Sequence, residues 1–455
     1  MNVQRKEFIF EPYKISEVKC RGLEIPRPRS GHRIACDDAH VYCFGGYNPS
    51  LPHTHVEREN PTWTVTRPLF RELWSFSIAT RKWKQHPVIE NMPEELASNA
   101  MCMNGGHLMI FGGTGAPFGI KCSNDVVVWK ASNEDARFHI LETTGSKPPG
   151  QYGQAVMCHN GYFYTVGGTN GFAYNIDIFR CVLDFVDVCC VYDVWECSRL
   201  TDLVYIYEPT TYLISRLNNN ELTQLWDMCH TYYTFIFRLD LQTLVWETVF
   251  AGTGQEGEPF GRYRHEIAHV GNKLYVIGGG TGEWAFELME IPMYDLETNT
   301  WTALKPKPDN STTDTIGPLP RKCHSAVLVD TLQGPQVFVA GGSDGTSVFD
   351  DIWRLSVTDM QWTLMQKTVL PNPIYFHSST VTSYGCMYMF GGIEPKENTA
   401  CRNNILYKVW LCIPKLSEIC WEALLDFHPN LDQVDSKSLL NIGIPRHLVN
   451  RLHMH

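Results

Sequence analysis

"RYRHEIAHVGNKLYVIGGGTGEWAFELMEIPMYDLETNTW", residues 262–301, holds one complete structural period. The apolar run Leu274–Ile277 stops at the pair Gly278-Gly279, the signature of a strand ending in a sharp turn. A second, amphipathic run, "IPMYDL", leads through a polar turn to Trp301. Apolar strand, glycine pair, amphipathic strand and aromatic anchor together compose one four-stranded blade of a β-propeller.

The period recurs along the chain. "VYCFGG", "LMIFGG", "FYTVGG", "LYVIGG", "VFVAGG" and "MYMFGG" place glycine pairs at 45–46, 112–113, 167–168, 278–279, 341–342 and 391–392. "LWSFSIATRKW" ending at Trp83 and "IWRLSVTDMQW" ending at Trp362 repeat the second half of the unit. A β-sandwich also uses glycine turns, but it does not repeat a whole motif six times. The pattern resembles the kelch repeat. It implies an all-β, six-bladed kelch propeller over residues 29–412, with a short α-helical tail at 413–455. The sixth repeat lacks a last strand of its own, because Trp421 falls in "KLSEICWEALL", which reads as helix. The 1–28 segment, through "EFIFEPYKI", is the expected closing strand and would leave no bare sheet edge.

Spacing between successive glycine pairs is 67, 55, 111, 63 and 50 residues, so the third repeat carries an insertion. Removing 181–238 splices "NIDIFR" onto "LDLQTLVWETV" and restores the blade, with Ile-Phe-Arg on both sides of the cut. The insert has no Gly, Ala or Lys but holds Cys181, Cys189, Cys190, Cys197 and Cys229. A zinc site would need better-spaced ligand pairs. A loop extension is the plain alternative, and the foreign composition favours a retained intron or gene-model error.

The 455 residues are 44% hydrophobic and 19% charged, as in an ordinary globular protein with a large core. A formal charge of -11 disfavours a broad nucleic-acid interface. The N-terminal "MNVQRKEFIFEPYK" has no uninterrupted apolar core of a secretion signal, and no run is long enough to cross a bilayer. Sixteen cysteines without such a signal read as reduced thiols, so a cytoplasmic or nuclear location is expected, with neither nucleic acid nor membrane as partner.

Beyond the repeats the period changes from two to 3.6. Leu416, Cys420 and Leu424 fall on one helical stripe, and "GIPRHLVNRL" places Ile444, Leu448 and Leu452 on another behind Pro445. These resemble, in order, the BC box that docks on elongin C and the cullin-2 box. Lys415 replaces the small residue usual before the first leucine. A helix packed on the propeller floor through Leu424, Leu425 and Phe427 is the alternative. With "RSGHR", "FGGTGAPFG" and "RYRHEIAH", the chain resembles the kelch-repeat substrate receptors of cullin-2 ubiquitin ligases. That resemblance implies elongin C, elongin B and cullin-2 as partners, and recognition of protein C-termini ending in glycine or another small residue. A kelch scaffold or actin-binding protein is the rival reading.

Aligning the segment before each inner strand gives "RSGH" (29–32), "ELAS" (95–98), "QYGQ" (151–154), "RYRH" (262–265), "RKCH" (321–324) and "IYFH" (374–377). In kelch propellers this segment and the loop after the glycine pair line the channel mouth. Arg262, Arg264, Arg321 and Lys322, with Arg29, supply positive charge for a peptide carboxylate. Tyr152, Tyr263, Tyr375, Phe376 and Trp284, with Ser343, would shape the slot. His32, His265, His324 and His377 come from different blades and are expected to bond between blades rather than hold metal. No nucleophile motif or phosphate loop is present, so neither catalysis nor a cofactor is expected.

Overall fold

The computed structural model describes residues 8–50, 69–87, 91–94, 96–115, 118–131, 137–171, 236–252, 256–310, 317–396 and 399–453. It is a six-bladed β-propeller with a helical C-terminal tail. Blade 1 comprises Arg33–Cys36, His40–Phe44, Leu73–Ser77 and Lys82–His86, and blade 2 Ala100–Asn104, His107–Phe111, Val126–Lys130 and Phe138–Ile140. Blade 3 comprises Ala155–His159, Tyr162–Val166, Ile236–Asp240 and Val245–Phe250, with Thr144–Gly145 added in parallel on its outer edge. Blade 4 is Glu266–Val270, Lys273–Ile277, Ile291–Asp295 and Thr300–Leu304, and blade 5 is Ser325–Thr331, Gly334–Ala340, Ile352–Ser356 and Gln361–Leu364. Blade 6 takes Ser378–Val381, Cys386–Phe390 and Leu406–Trp410 from its own repeat.

The second strand of blade 4 shows why each repeat carries an unbroken apolar run. Leu274 and Val276 pack with Met157, Tyr164 and Val166 of blade 3. Tyr275 and Ile277, on the other face, pack with Val337, Val339 and Trp353 of blade 5. A strand covered on both faces keeps its period of two, but both sets are apolar.

The glycine pair joins neighbouring blades. The N–H of Gly46 donates to the carbonyl of Leu96, and the same bond recurs from Gly113 to Gln151, Gly168 to Arg262, Gly279 to Arg321, Gly342 to Ile374 and Gly392 to Arg29, at 2.8–3.0 Å. At Gly391 φ is +61°, and a Cβ would stand 2.5 Å from Cε1 of His32 and 2.8 Å from the Arg29 carbonyl. Only glycine fits both the backbone and the neighbour.

The last of these links closes the ring, and the N-terminal chain completes blade 6. Ser16–Glu17 pairs antiparallel with Lys408 and Tyr407, flanked by bonds from Tyr13 N to Trp410 O and from Val18 N to Leu406 O, each 2.8 Å. The paired residues lie just beyond the stretch 7–15 that the sequence suggested.

In blade 3 the second Ile-Phe-Arg copy lies in the sheet, with Ile236, Phe237 and Arg238 opposite Val166, Thr165 and Tyr164. The boundary 181–238 therefore takes in three blade residues. The repeated tripeptide makes cuts three residues apart equivalent in sequence, so spacing could not choose between them. The remainder of that segment, including its cysteines, falls outside the described residues.

The tail contains helices α1 (Leu416–Phe427), α2 (Ser436–Asn441) and α3 (Arg446–His453). Trp421, Leu425, Leu431, Leu439, Leu448, Val449 and Leu452 form one small core against Ala79 of blade 1. Glu418 accepts two bonds from Arg451, at 2.7 and 3.3 Å, tying α1 to α3, and Lys408 holds Glu422 at 2.5 Å. The apolar stripe of α3 is thus covered by the tail itself. Ile444 is half-buried and Leu448 and Leu452 are buried, so the stripe that resembles a cullin-2 box packs inside the tail instead of standing open to a partner. A period of 3.6 marks a face as apolar without saying what covers it.

Candidate functional site at the channel mouth

Six segments converge at the end of the channel where the inner strands begin. Their third residues, Gly31, Ser98, Gly153, Arg264, Cys323 and Phe376, all have positive φ between 56° and 69°. Each N–H donates to the carbonyl of the preceding member: Ser98 to Gly31, Gly153 to Ser98, Arg264 to Gly153, Cys323 to Arg264, Phe376 to Cys323 and Gly31 to Phe376, at 2.7–3.2 Å. The result is a closed backbone ring. Holding a non-glycine residue left-handed costs on the order of 1 kcal/mol, which the closed ring offsets. In blade 2 the segment is Leu96–Asn99, one residue later than the ELAS alignment, because no arginine or histidine marks its register.

Beneath the ring, Arg33 of blade 1 pairs with Glu266 of the opposite blade 4 at 2.7 Å, spanning the channel. The imidazoles of His32, His265, His324 and His377 lie against Gly391, Gly167, Gly278 and Gly341 of the preceding blades. His32 Nε2 reaches the Phe390 carbonyl at 3.1 Å, and His377 Nε2 meets Ser325 Oγ at 2.8 Å. Burial pushes His265 down to about 3 and His377 to about 4, so both rings are neutral wedges between blades.

The arginines separate into two kinds. Arg29, Arg262 and Arg321 occupy the first position of their segments and turn outward into their own blades. Each donates through Nη1 to the carbonyl of its blade's first paired glycine, Gly45, Gly278 or Gly341, and through Nε to the carbonyl two residues back. Arg29 binds Glu72 at 2.6 Å, and Arg321 grips Asp351 with two bonds of 2.6 and 3.0 Å. Neither is a ligand clamp at the mouth, and Arg262 also points away from it. Side-chain direction separates them from Arg264, and nothing in the RxxH pattern encodes that direction.

Arg264 is the ring arginine. It donates to Ser98 Oγ, its Cζ lies 4.6 Å from the centre of the Phe376 ring, and its Nη2 faces the missing side chain of Gly31. Lys322 donates to the carbonyls of Thr281 and Gly282 at 2.6 and 2.7 Å. Burial lowers its affinity for the proton, with Cys323 and Glu283 pulling the other way. The Cys323 thiol is pushed up to about 11 by burial, against Arg264 and Lys322, and stays protonated.

Sequence reasoning missed a third cation. Arg402 lies on the hairpin Ile393–Lys396 and Thr399–Arg402, donates to Ser30 Oγ at 2.9 Å and stacks over Tyr47 at 5.2 Å. No segment alignment contains it, because the hairpin is an addition to blade 6. Aromatic rings surround these cations. Tyr47 meets Phe118 edge-on at 4.8 Å, Tyr375 lies 5.3 Å from Phe376, and Trp284 on the blade 4 loop is 48% exposed. Tyr263 is half-buried against Gly153, whereas Tyr152 is buried beside Gly119 and does not line the slot openly. Ser343 uses its Oγ to accept from Gly345 N at 3.0 Å, which shapes its loop. Cations inside an aromatic rim can seat an anion carried on a small, apolar-tolerant chain end.

On the tail, Leu416 is 72% exposed and Cys420 is exposed, while Leu424 is half-buried against the tail core. The BC-box stripe is thus presented outward at its N-terminal end.

A model of the KLHDC2/KLHL20/DRC7 Kelch-repeats domain family matches residues 7–189 and 227–422. The chain is 34% identical over 463 residues to a Kelch domain-containing protein 10 homolog of Drosophila melanogaster, covering 98% of this chain and 66% of the fly protein. It is 36% identical over 434 residues to Kelch domain-containing protein 10 of Homo sapiens, covering 95% and 81%. The structure of YjhT superposes with a TM-score of 0.52 at 16% identity, over 84% of this chain and 96% of that one, a likeness of fold.

Proposed function

The chain belongs to the family of Kelch domain-containing protein 10, and on that premise we propose that it is the substrate-recognition subunit of a cullin-2 and elongin B–C ubiquitin ligase. The propeller mouth takes the C-terminus of a substrate, and the tail takes the ligase. The observation that carries this reading is the outward stripe of α1, where Leu416 and Cys420 stay exposed although the opposite face, through Trp421 and Leu425, is fully packed. A helix whose second apolar edge is left outside its own core is suited to a partner groove.

In this reading elongin C covers Leu416, Cys420 and the outer edge of Leu424. Ile444, Leu448 and Leu452 act from within, holding α1 in position, and cullin-2 meets the exposed Pro445 with Leu440 and Ile442. At the mouth, Arg264, Lys322 and Arg402 receive the terminal carboxylate, and Trp284, Tyr263, Tyr375 and Phe376 confine the last residue to a small side chain. The role is recognition without catalysis, in the cytoplasm or nucleus. The rival is a kelch scaffold or actin-binding protein with a purely structural tail.

Co-purification of the full chain with elongins B and C separates the two. Leu416→Ser with Cys420→Ser should abolish capture while leaving the melting temperature unchanged, because both residues are exposed. Capture that persists in the double variant assigns the stripe no role in docking.

A further inference from the structure

Comparison of blades 1, 4 and 5 exposes a missing partner. In blade 1 the carboxylate of Glu72 takes Nη2 of Arg29 at 2.6 Å and the indole Nε1 of Trp74 at 2.9 Å. In blade 5 Asp351 takes Nη2 of Arg321 at 3.0 Å and Nε1 of Trp353 at 2.7 Å. Acid and tryptophan are two residues apart, at the entry to the third strand. The same two positions in blade 4 are Glu290 and Pro292. Glu290 is exposed and acts on Arg262 through its charge alone, and among the described residues no carboxylate forms a contact ion pair with Arg262.

Arg262 is otherwise built as its counterparts are. It bonds the carbonyls of Phe260 and Gly278 at 3.1 and 3.0 Å, stacks over Phe286 at 4.2 Å, and is only 9% exposed. Where blades 1 and 5 have an indole and a carboxylate bonded to it and to the arginine, blade 4 has an open cleft of about 400 Å³ on its outer flank, lined by Phe260, Arg262, Phe286, Glu290, Pro292 and Trp301. Phe260, 70% exposed, lies parallel to Phe286.

We propose that this cleft is a second binding site, separate from the mouth, for a monoanionic carboxylate carried beside an aromatic or apolar group, which supplies from outside the ring that blade 4 lacks and the direct ion pair that Glu290 does not make with Arg262. The second arm of the Arg262 fork is already oriented by two carbonyls and a ring, so it meets the carboxylate with little ordering cost. Glu258, Glu287 and Glu290 also line the cleft, and their repulsion weighs about twice as heavily on a dianion such as phosphate as on a monoanion. The carboxylate can arrive on a small aromatic acid or on an acidic side chain of a protein segment. The site does not depend on the ligase reading, since it uses none of the mouth or tail residues.

The full chain is titrated with indole-3-acetate, indole-3-acetamide, inorganic phosphate and the peptide acetyl-Asp-Ile-Trp-amide, followed by NMR saturation transfer and calorimetry. Indole-3-acetate or the peptide should bind at least about tenfold more tightly than the acetamide, corresponding to about 1.4 kcal/mol for one charge-assisted contact, with phosphate weaker than either. Binding of the free acid identifies a small-molecule site, and binding of the peptide alone a protein-segment site. Pro292→Trp refills the cleft and should lower affinity at least about tenfold while raising the melting temperature. If that variant does not fold, Arg262→Lys, which keeps charge but loses the fork, should lower affinity by a similar factor. Equal binding of acid and amide, or undiminished binding in the folded variants, overturns the proposal.

Discussion

Replacing Arg321 with alanine tests whether the first-position arginines are structural. Its side chain is 0% exposed and makes two bonds to Asp351, one each to the Gly341 and Leu319 carbonyls, and a stack on Phe349 at 4.4 Å. Breaking a buried pair from one side costs about 3–5 kcal/mol. Asp351 keeps its bond from Trp353 Nε1 and is 27% exposed, which places the loss near the lower bound, about 3 kcal/mol. At an unfolding entropy of about 2.1 cal/mol/K per residue over a chain of this length, that is a drop of about 3–4 °C in Tm. Differential scanning calorimetry reads this, while fluorescence anisotropy with a glycine-ended peptide reads binding in the same samples. Arg321→Ala should lose Tm and keep the peptide. Arg264→Met should keep Tm within about 1 °C and lose about 2–4 kcal/mol of affinity for the free carboxylate but not for its amide. An Arg321 variant that keeps its Tm and loses the peptide would refute the division of the arginines.

Other expectations follow from the same contacts. The folded-state pKa values of His32, His265, His324 and His377 are depressed by burial, so the unfolded chain binds more protons below about 6.5. Stability should therefore be greatest above that pH and fall as pH drops toward the folded values, by about 1.4 kcal/mol per pH unit for each histidine. His265→Gln copies the arrangement at Gln154, which donates to the Phe111 carbonyl at 2.8 Å, and should flatten the slope in urea titrations. Gly391→Ala should cost at least about 2 kcal/mol by chemical denaturation, because both its φ and the His32 contact exclude a Cβ. Leu448→Ala should destabilise the tail by about 2–5 kcal/mol, seen as faster hydrogen exchange in α1 and α3, with the propeller unaffected.

The propeller was legible because its device is written in the sequence: a left-handed turn pressed against the next blade admits only glycine, and it does so at six regular places. Register was legible where an arginine, a histidine or, in QYGQ, a glycine at the left-handed third position marked it, and ELAS has none of these, which is why Leu96–Asn99 slipped by one residue. The mouth was half legible. Arg264, Lys322 and the aromatics other than Tyr152 lie together at the mouth, but Arg29, Arg262 and Arg321 turn outward to carbonyls of their own blades. The pairs Glu72-Leu73-Trp74 and Asp351-Ile352-Trp353 were the available signal, since an acid two residues before an indole at the third strand is a partner waiting for an arginine. Arg402 had no such signal, as its hairpin belongs, among the described residues, to one blade alone.

The bond partners Ser16 and Lys408 lie about 390 residues apart in the chain. At synthesis rates of about 5–20 residues per second, the first strand waits about 20–80 s after it is made before the sheet it completes exists. Until then blade 6 cannot be finished and blade 1 has an uncovered neighbour face, both open to mispairing. Assembly of the circle is therefore a late event with a large loop-closure entropy, and a chain held unfolded at its N-terminus would have five blades formed and the sixth unsealed.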